Sequence, residues 1–460
     1  MIPHQAALLL WIALSALFMA DKNNARGFSL ALVLGILFLP AKYAIDLSGV
    51  PDLDKNNVAP IGIFIGTVIF HPRLFDRFRI TVPDFLILGM AFFAFATSIM
   101  NNFGIYDGIS QIMGVFLNFA LIVLLARIHL GTPRSMRTFL LVLVAAGVLY
   151  MPLALYEFRM SPQIHTMTYG YFQHIFQQHA RGSFWRPIVF FEHALYLGRF
   201  FAFTAFLALL PMRKDLCQYL GRLGNFLFLA PLLGLLISQS FGPYILFLLL
   251  CGGYLVIHRH PWAGYALPAL AFLWLAIVFA GIKLGYGITE NIAFFNPDRA
   301  GTLDYRLAAI QEYKDIIINR FWLGYGGWGH GRIEGRATDS QTLIRLLSRG
   351  FIGSLLYFGW WFVAMHTAYR VMRRTEGTVF SKRARGIALL TSIALTMAVI
   401  DAALDLHLIV CVAGLMTIDS WLRRRPNLPT LNKPPAHPAA PPRLRRKAQQ
   451  QPARAAPPQG

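Results

Sequence analysis

The sequence is short of acid: 21 Asp and Glu stand against 42 Lys and Arg in 460 residues, and only 14% of the chain is charged while 56% is hydrophobic. With a mean hydropathy of +0.52, that balance excludes a soluble domain of ordinary make-up. Cysteine is scarcer still. Cys217, Cys251 and Cys411 have no paired spacing, so neither a disulfide framework nor a metal motif is suggested. No Lys or Arg precedes the first apolar run and no small-residue cleavage site follows it, so that run is expected to be a retained helix. Internal repeats and interrupted helices, the marks of a secondary transporter, are missing from the pattern.

What is present is apolar length. A hydrocarbon core of about 30 Å needs roughly 20 apolar residues per helix, and about thirteen runs approach that criterion. They lie near 5–20, 27–44, 58–71, 81–99, 108–127, 138–155, 193–212, 225–238, 242–257, 262–282, 345–369, 386–402 and 404–421. The expected fold is an all-α polytopic membrane protein with about 12–13 transmembrane helices in residues 1–422. Basic residues fall in alternate loops: Lys22 and Arg26, Arg73 to Arg79, Arg134 and Arg137, Arg213 to Arg222, Arg259, and Arg370 to Arg385. The positive-inside rule then puts the amino terminus outside, the carboxyl terminus in the cytoplasm, and two long polar segments, about 156–192 and about 283–344, on the outer face. The net charge of +21 is therefore topological, and nucleic acid is not an expected partner. Residues 423–460 form a Pro/Ala/Arg tail without an apolar face. It is expected to be disordered, grazing anionic lipid or docking to a cytoplasmic partner. Chemistry is left to the outer segments and the polar residues of the helices.

The first outer segment, Tyr156 to His193, is aromatic and rich in His and Gln. An interfacial helix followed by a re-entry into the membrane is expected there. His174 and His179 are badly spaced for a metal pair, and no Cys or acid completes a ligand set, so no metal is expected. The aromatics fit an interfacial belt or a stacking surface for sugar rings. Arg181 and Arg186 flank Trp185, and guanidinium forks grip phosphate oxygens in pairs. Arg199, a turn or two inside the next span, either is functional, snorkels to the surface or pairs with Glu192.

The second outer segment is the most polar part of the molecule. Leu307, Ile310, Tyr313 and Ile317 recur at helical spacing and predict an amphipathic helix that presents Arg306, Gln311 and Lys314 as polar members. "GYGGWGHG" (Gly324–Gly331) formally matches G-x-G-x-x-G without a preceding strand or a following helix. It predicts a flexible turn that brings the backbone close to something, either as simple chain reversal or with its N–H groups helping to hold a diphosphate. "TDSQTL" (Thr338–Leu343) then opens an apolar helix.

Taken in order, Arg306, "FWLGYGGWG" (Phe321–Gly329), "TDSQTL" and "RGFIG" (Arg349–Gly353) resemble the O-antigen ligase and Wzy-type polysaccharide polymerase superfamily. Upstream, "RGSFWRPIVFFEHALYLG" (Arg181–Gly198) and "SQSFGPYILFLLL" (Ser238–Leu250) are similar to two further stretches of that pattern. Phe241 replaces the arginine of the family's "SRG", and Asp339-Ser340 stands where a ligase has His-Asn, which favours a polymerase over a ligase.

The resemblance implies glycosyl transfer from an undecaprenyl-diphosphate-linked oligosaccharide at the periplasmic face of the bacterial inner membrane, without a cofactor. It also implies a flippase and a chain-length regulator as partners. Such transfer needs a cation for the departing diphosphate and a base for the attacking hydroxyl. Arg306 suits the first task, with Arg181 or Arg186 as a second clamp. Asp339 suits the second, or serves as a helix N-cap in competition with Thr338 and Ser340. Trp185, Arg199, His330 and Ser340 complete the expected substrate contacts. A rival class is transport: Asp401 and Asp405 lie four apart with His407 nearby, as in a proton relay.

Overall fold

The computed structural model describes residues 2–47, 50–181, 183–212, 224–227, 229–280, 297–327, 329–334, 338, 340–400 and 406–424, with the backbone alone at 50, 181, 211–212, 225–226 and 297–307. The order of elements is α1 (His4–Phe18), α2 (Asn24–Phe38), the hairpin β1 (Ala44–Leu47) and β2 (Val50–Asp54), α3 (Val58–Phe70), α4 (Val82–Met100), α5 (Gly104–His129) and α6 (Pro133–Met160). Then come the short α7 (Ile164–Tyr169), a two-residue ladder β3 (Ala180–Arg181) and β4 (Phe184–Trp185), α8 (Ala194–Leu207), α9 (Gly224–Leu227), α10 (Ala230–Ile237), α11 (Phe241–Arg259) and α12 (Ala263–Phe279). The last four are α13 (Pro297–Asn319), α14 (Gln341–Arg374), α15 (Ser381–Ile400) and α16 (Leu406–Arg423).

Seven of these, α4, α5, α6, α11, α14, α15 and α16, are long and apolar enough to cross a membrane. α1, α2, α3, α8 and α12 are apolar but shorter. Among the described residues each expected run falls mainly on helix, and the run at 225–238 divides into α9 and α10. α15 and α16 are the most enclosed, with 78% and 72% of their apolar windows buried, so the bundle is built around them. Small residues set the closest approaches, as expected where lipid gives no hydrophobic drive between helices. Gly62 and Gly66 form a G-x-x-x-G face on α3, where a Cβ would stand 2.3 Å from the Ile12 carbonyl oxygen and 2.5 Å from that of Ala16 on α1.

The loops sort into two ends. At one end the basic loops meet: His71 bonds the Asp21 carbonyl, Arg127 pairs with Asp84 and donates to the Arg79 carbonyl (2.6 Å), and Asp419 receives Arg370, Arg374 and Arg423. At the other end the β1–β2 hairpin, the α4–α5 turn and both long polar segments gather. Lys55 Nζ donates to the Phe190 carbonyl (3.0 Å), Arg320 donates to Asn101 Oδ1 (3.2 Å), and the His330 ring stacks on Phe103 at 4.3 Å.

The first long segment contains α7, a 3-10 turn (Phe176–His179) and the β3–β4 ladder. Its return to the bundle is clamped by Glu157, whose carboxylate accepts from the Ile164, Ile188 and Val189 nitrogens at 3.0, 2.9 and 2.7 Å. Val189 is held there at φ +52, a conformation that β-branched residues avoid. In the second segment Ile310, Tyr313 and Ile317 are buried on one face of α13 against Val278, Leu343 and Leu347, as the helical spacing predicts.

One expectation is corrected. α14 is interrupted: Gly350 has φ +60 and ψ −164, a region open essentially to glycine alone. The expected span at 345–369 therefore straddles a break, and the chain does contain the interrupted helix that its hydropathy pattern hides. The free backbone groups at the break are satisfied by residues 321–326. Tyr325 and Gly326 donate to the Leu347 and Ser348 carbonyls at 2.7 and 3.0 Å, and the Phe351 nitrogen donates to the Phe321 carbonyl at 2.6 Å. A broken backbone inside a membrane body needs such partners, since hydrocarbon offers none.

Candidate functional site

The break bends α14 into an elbow. In a straight helix Arg345 and Tyr357, twelve residues apart, would be separated by about 18 Å along the axis, yet the Arg345 guanidinium lies over the Tyr357 ring at 4.3 Å. A cavity of about 560 Å³ fills the inside of the elbow. Gln341, Arg345, Arg349, Gly353 and Tyr357, spaced four apart, line its α14 wall. Gln111 and Asn118 reach in from α5, which widens into a π-helical turn at Phe116–Ala120, a distortion common at functional sites. The hairpin and the turn after it supply the rim: Asp52, Asp54, Asn56 and Asn57.

Two cations share this space. Arg349 donates to the Ala94 carbonyl (3.2 Å) and to Gln111 Oε1. Arg345 is held by Tyr357, whose ring its guanidinium faces, and among the described residues its buried Nε has no hydrogen-bond partner. Among the described residues no carboxylate lies within ion-pair distance of either arginine. The field of Asp107 reaches Arg349, but two partly buried cations with no carboxylate in contact make the cavity a ready site for an anion.

The rim is wired to the bundle. Buried Asn57 donates to the Asp52 carbonyl (2.8 Å) and to Asn118 Oδ1 (3.3 Å), and its own Oδ1 accepts from the Asp54 nitrogen (3.0 Å). Lys55, fully enclosed, reaches Phe190, and burial pushes its pKa down to about 8. The glycine run packs here too. A Cβ on Gly327 would stand 2.3 Å from the Gln111 amide nitrogen, and one on Gly326 would stand 2.6 Å from the Phe103 ring.

The opposite side of the α14 start is apolar. A second hollow, about 420 Å³, runs between α12, α13, α14 and α15, lined by Leu270, Trp274, Ile310, Leu343 and Val399, with Ser340 at its edge. Ser340 caps α14, its Oγ accepting from the Leu343 nitrogen at 3.1 Å. One helix end thus divides a polar, cationic cavity from an apolar groove.

The residues expected at a site divide between several places. Ser340 lines the groove, and Arg306 lies on α13 one turn before Ile310; its side chain is outside the described residues, as is all of Asp339. Arg181 lies in β3 with its side chain likewise outside. Arg186 donates Nε and Nη2 to Ser240 Oγ at 3.0 and 2.8 Å, tying the first polar segment to the start of α11. Trp185 packs on Phe176, and Arg199, buried, lies over the Tyr196 ring at 4.8 Å. His330 is on Phe103. Trp185, Arg186, Arg199 and His330 line neither hollow. His174 packs edge-on against His179 and His193 at 5.3 and 4.6 Å. Asp401 and Asp405 lie outside the described residues, and His407, in the first turn of α16, is buried against the Phe203 ring.

Sequence reasoning named Arg349 only as the start of "RGFIG", without a site role, and missed Arg345, Gln111 and Asn118. The signal was there: two arginines four apart inside an expected span, in a ladder that continues through Gln341 and Tyr357. Comparison of the chain with protein-family profiles, curated proteins and solved structures finds no match.

Proposed function

We propose that the chain is a membrane glycosyltransferase that lengthens a glycan carried on undecaprenyl diphosphate, at the periplasmic face of a bacterial inner membrane. The observation that carries this is the two-sided start of α14, with Arg345 and Arg349, neither touching a carboxylate among the described residues, in a polar cavity on one side and an apolar groove on the other. A lipid-linked sugar diphosphate has the matching division. Its prenyl tail suits the groove, and its diphosphate suits guanidinium groups that stay ionised and offer paired donors. Arg306, one turn from the groove, is the additional clamp on the donor.

Outside the cytoplasm no nucleotide sugar is at hand, so the donor must arrive already activated. In the transfer, the diphosphate departs with extra negative charge, and preorganised cations that meet it as the bond breaks lower the barrier. Asp339, which precedes the Ser340 cap in the sequence, is a candidate to take the hydroxyl proton. A flippase would supply the donor and a chain-length regulator would set the extent of growth. A ligase would differ only in its acceptor.

The test is surface polysaccharide length in cells carrying Arg306→Ala or Arg345→Gln. Single repeat units in place of long chains are expected from well-inserted protein, and normal long chains from both variants would remove the assignment. Transfer of finished chains to a different acceptor, with no lengthening, would make the protein a ligase. The interrupted α14 favours one further reading, a carrier of lipid-linked glycan, because transporters build their sites on broken helices. Movement of labelled lipid diphosphate across protein-containing vesicles, without any lengthening, would decide for that class.

A further inference from the structure

The rim of the elbow cavity carries several polar side chains, and all but one are committed to its own architecture. The Asp54 carboxylate accepts from the Asn56 nitrogen (2.9 Å), the Asn56 amide (3.0 Å) and the Asn57 nitrogen (3.2 Å). Asn57 holds the Asp52 carbonyl and Asn118, and Lys55 holds Phe190. Asp52 is exposed, and of these side chains its carboxylate alone makes no hydrogen bond or ion pair with the described residues. Its backbone is nevertheless fixed, because the Asp52 carbonyl is tied through Asn57 to α5.

Asp52, Arg345 and Arg349 share one cavity without neutralising one another. Opposite charges that face a common space without pairing leave room for a ligand that is anionic at one end and donates a proton at the other. The geometry points to Asp52 as the catalytic base of the transfer, the group that takes the proton of the acceptor hydroxyl. This rests on the glycosyl-transfer function proposed above and adds a residue that neither the polar second segment nor the start of α14 supplies.

The step balances as follows. The acceptor O–H gives its proton to the Asp52 carboxylate, and the freed lone pair forms the new C–O bond at the anomeric carbon. The bond from that carbon to the diphosphate oxygen breaks, and its electron pair leaves with the diphosphate toward Arg345 and Arg349. Attack from the rim with departure toward the elbow inverts the anomeric centre. A positioned carboxylate of this kind typically contributes a factor of about 10²–10⁴.

The experiment uses full-length protein in proteoliposomes with lipid-linked repeat units, and compares wild type, Asp52→Asn, Asp54→Asn and Asp339→Asn. Binding of undecaprenyl diphosphate is measured in parallel. Asp52→Asn is expected to lower turnover by about 10²-fold or more while leaving undecaprenyl diphosphate binding unchanged, and formate is expected to restore part of the turnover of Asp52→Gly. Wild-type turnover in Asp52→Asn, or a loss of diphosphate binding equal to the loss of turnover, overturns the assignment. Turnover lost only in Asp339→Asn returns the proton to Asp339. If wild type binds the lipid diphosphate but lengthens nothing, glycosyl transfer itself fails and the base falls with it, an outcome distinct from an active wild type with an active Asp52→Asn.

Discussion

Gly324 and Gly350 meet backbone to backbone: a Cβ on Gly324 would stand 2.4 Å from the Gly350 nitrogen, and one on Gly350 would stand 2.5 Å from the Trp322 carbonyl oxygen. Both have positive φ, +71 and +60. The contact holds the elbow that places Arg345 and Arg349 in one cavity. Gly350→Ala combines a glycine-only backbone, a cost of about 1–3 kcal/mol, with overpacking of about 1–3 kcal/mol. A loss of several degrees in detergent thermal unfolding is expected, together with loss of activity. Gly377→Ala, also at positive φ (+79) but with open space around its Cβ, is the control for backbone strain alone. Equal losses from the two variants would show that close approach at the elbow is unimportant.

Arg345 is expected to trade stability for function. Its guanidinium stacks on Tyr357 in a partly buried cavity, with no carboxylate in contact among the described residues, so Arg345→Gln removes a cation without a contacting acid and should raise the unfolding temperature. The same change removes a charged donor. Hydrogen bonds to charged groups contribute about 1.5–3 kcal/mol, so undecaprenyl diphosphate should bind roughly 10- to 100-fold more weakly. Arg345→Lys keeps the charge without the planar fork and should recover little of the affinity. A variant that is less stable but binds normally would make Arg345 a structural residue.

Much of this fold was legible because its strongest term is apolar length, which hydropathy reads directly. Among the described residues each expected run lies mainly on helix, and Ile310, Tyr313 and Ile317 bury the face their spacing implies. The elbow was hidden for a physical reason: one glycine in an apolar run is common in membrane helices, and only the partner segment 321–326 turns it into a break. For the same reason "GYGGWG" read as a turn near something unnamed, when the something is α14 itself, along with Gln111 and Phe103. Arg186 and Arg199 are further cases. Their charge advertised function, but their neighbours, Ser240 and the Tyr196 ring, come from tertiary packing or a local turn that composition does not encode.

His165 gives the hairpin end a defined response to acid. Its Nε2 accepts from the Ala41 nitrogen (3.2 Å) and its Nδ1–H donates to the Tyr171 carbonyl (3.0 Å), a pattern that requires the neutral ring. Burial pushes its pKa down to about 4. An unfolded histidine titrates near about 6.5, so between these values the unfolded chain binds more protons than the folded one. The stability this ring contributes is complete above about pH 6.5 and is lost as pH falls toward 4. Unfolding temperatures in detergent should drop across that window. His165→Phe should start lower and change less across it. Parallel curves would assign the acid response to other groups.

The side of the membrane on which the elbow opens decides the chemistry available to it. The β1–β2 hairpin, both polar segments and the cavity rim share one end of the bundle, and the basic loops share the other. Glu334 is exposed at the first end and Glu376 at the second. In a background freed of Cys217, Cys251 and Cys411, Glu334→Cys should react with an impermeant maleimide added to intact spheroplasts. Glu376→Cys should react only after permeabilisation, because positive loops stay in the cytoplasm. The reverse pattern would open the cavity to the cytoplasm, where nucleotide-activated sugars are abundant. A donor pre-linked to a prenyl diphosphate would then have no chemical necessity, and Arg345 and Arg349 would need another anion to explain them.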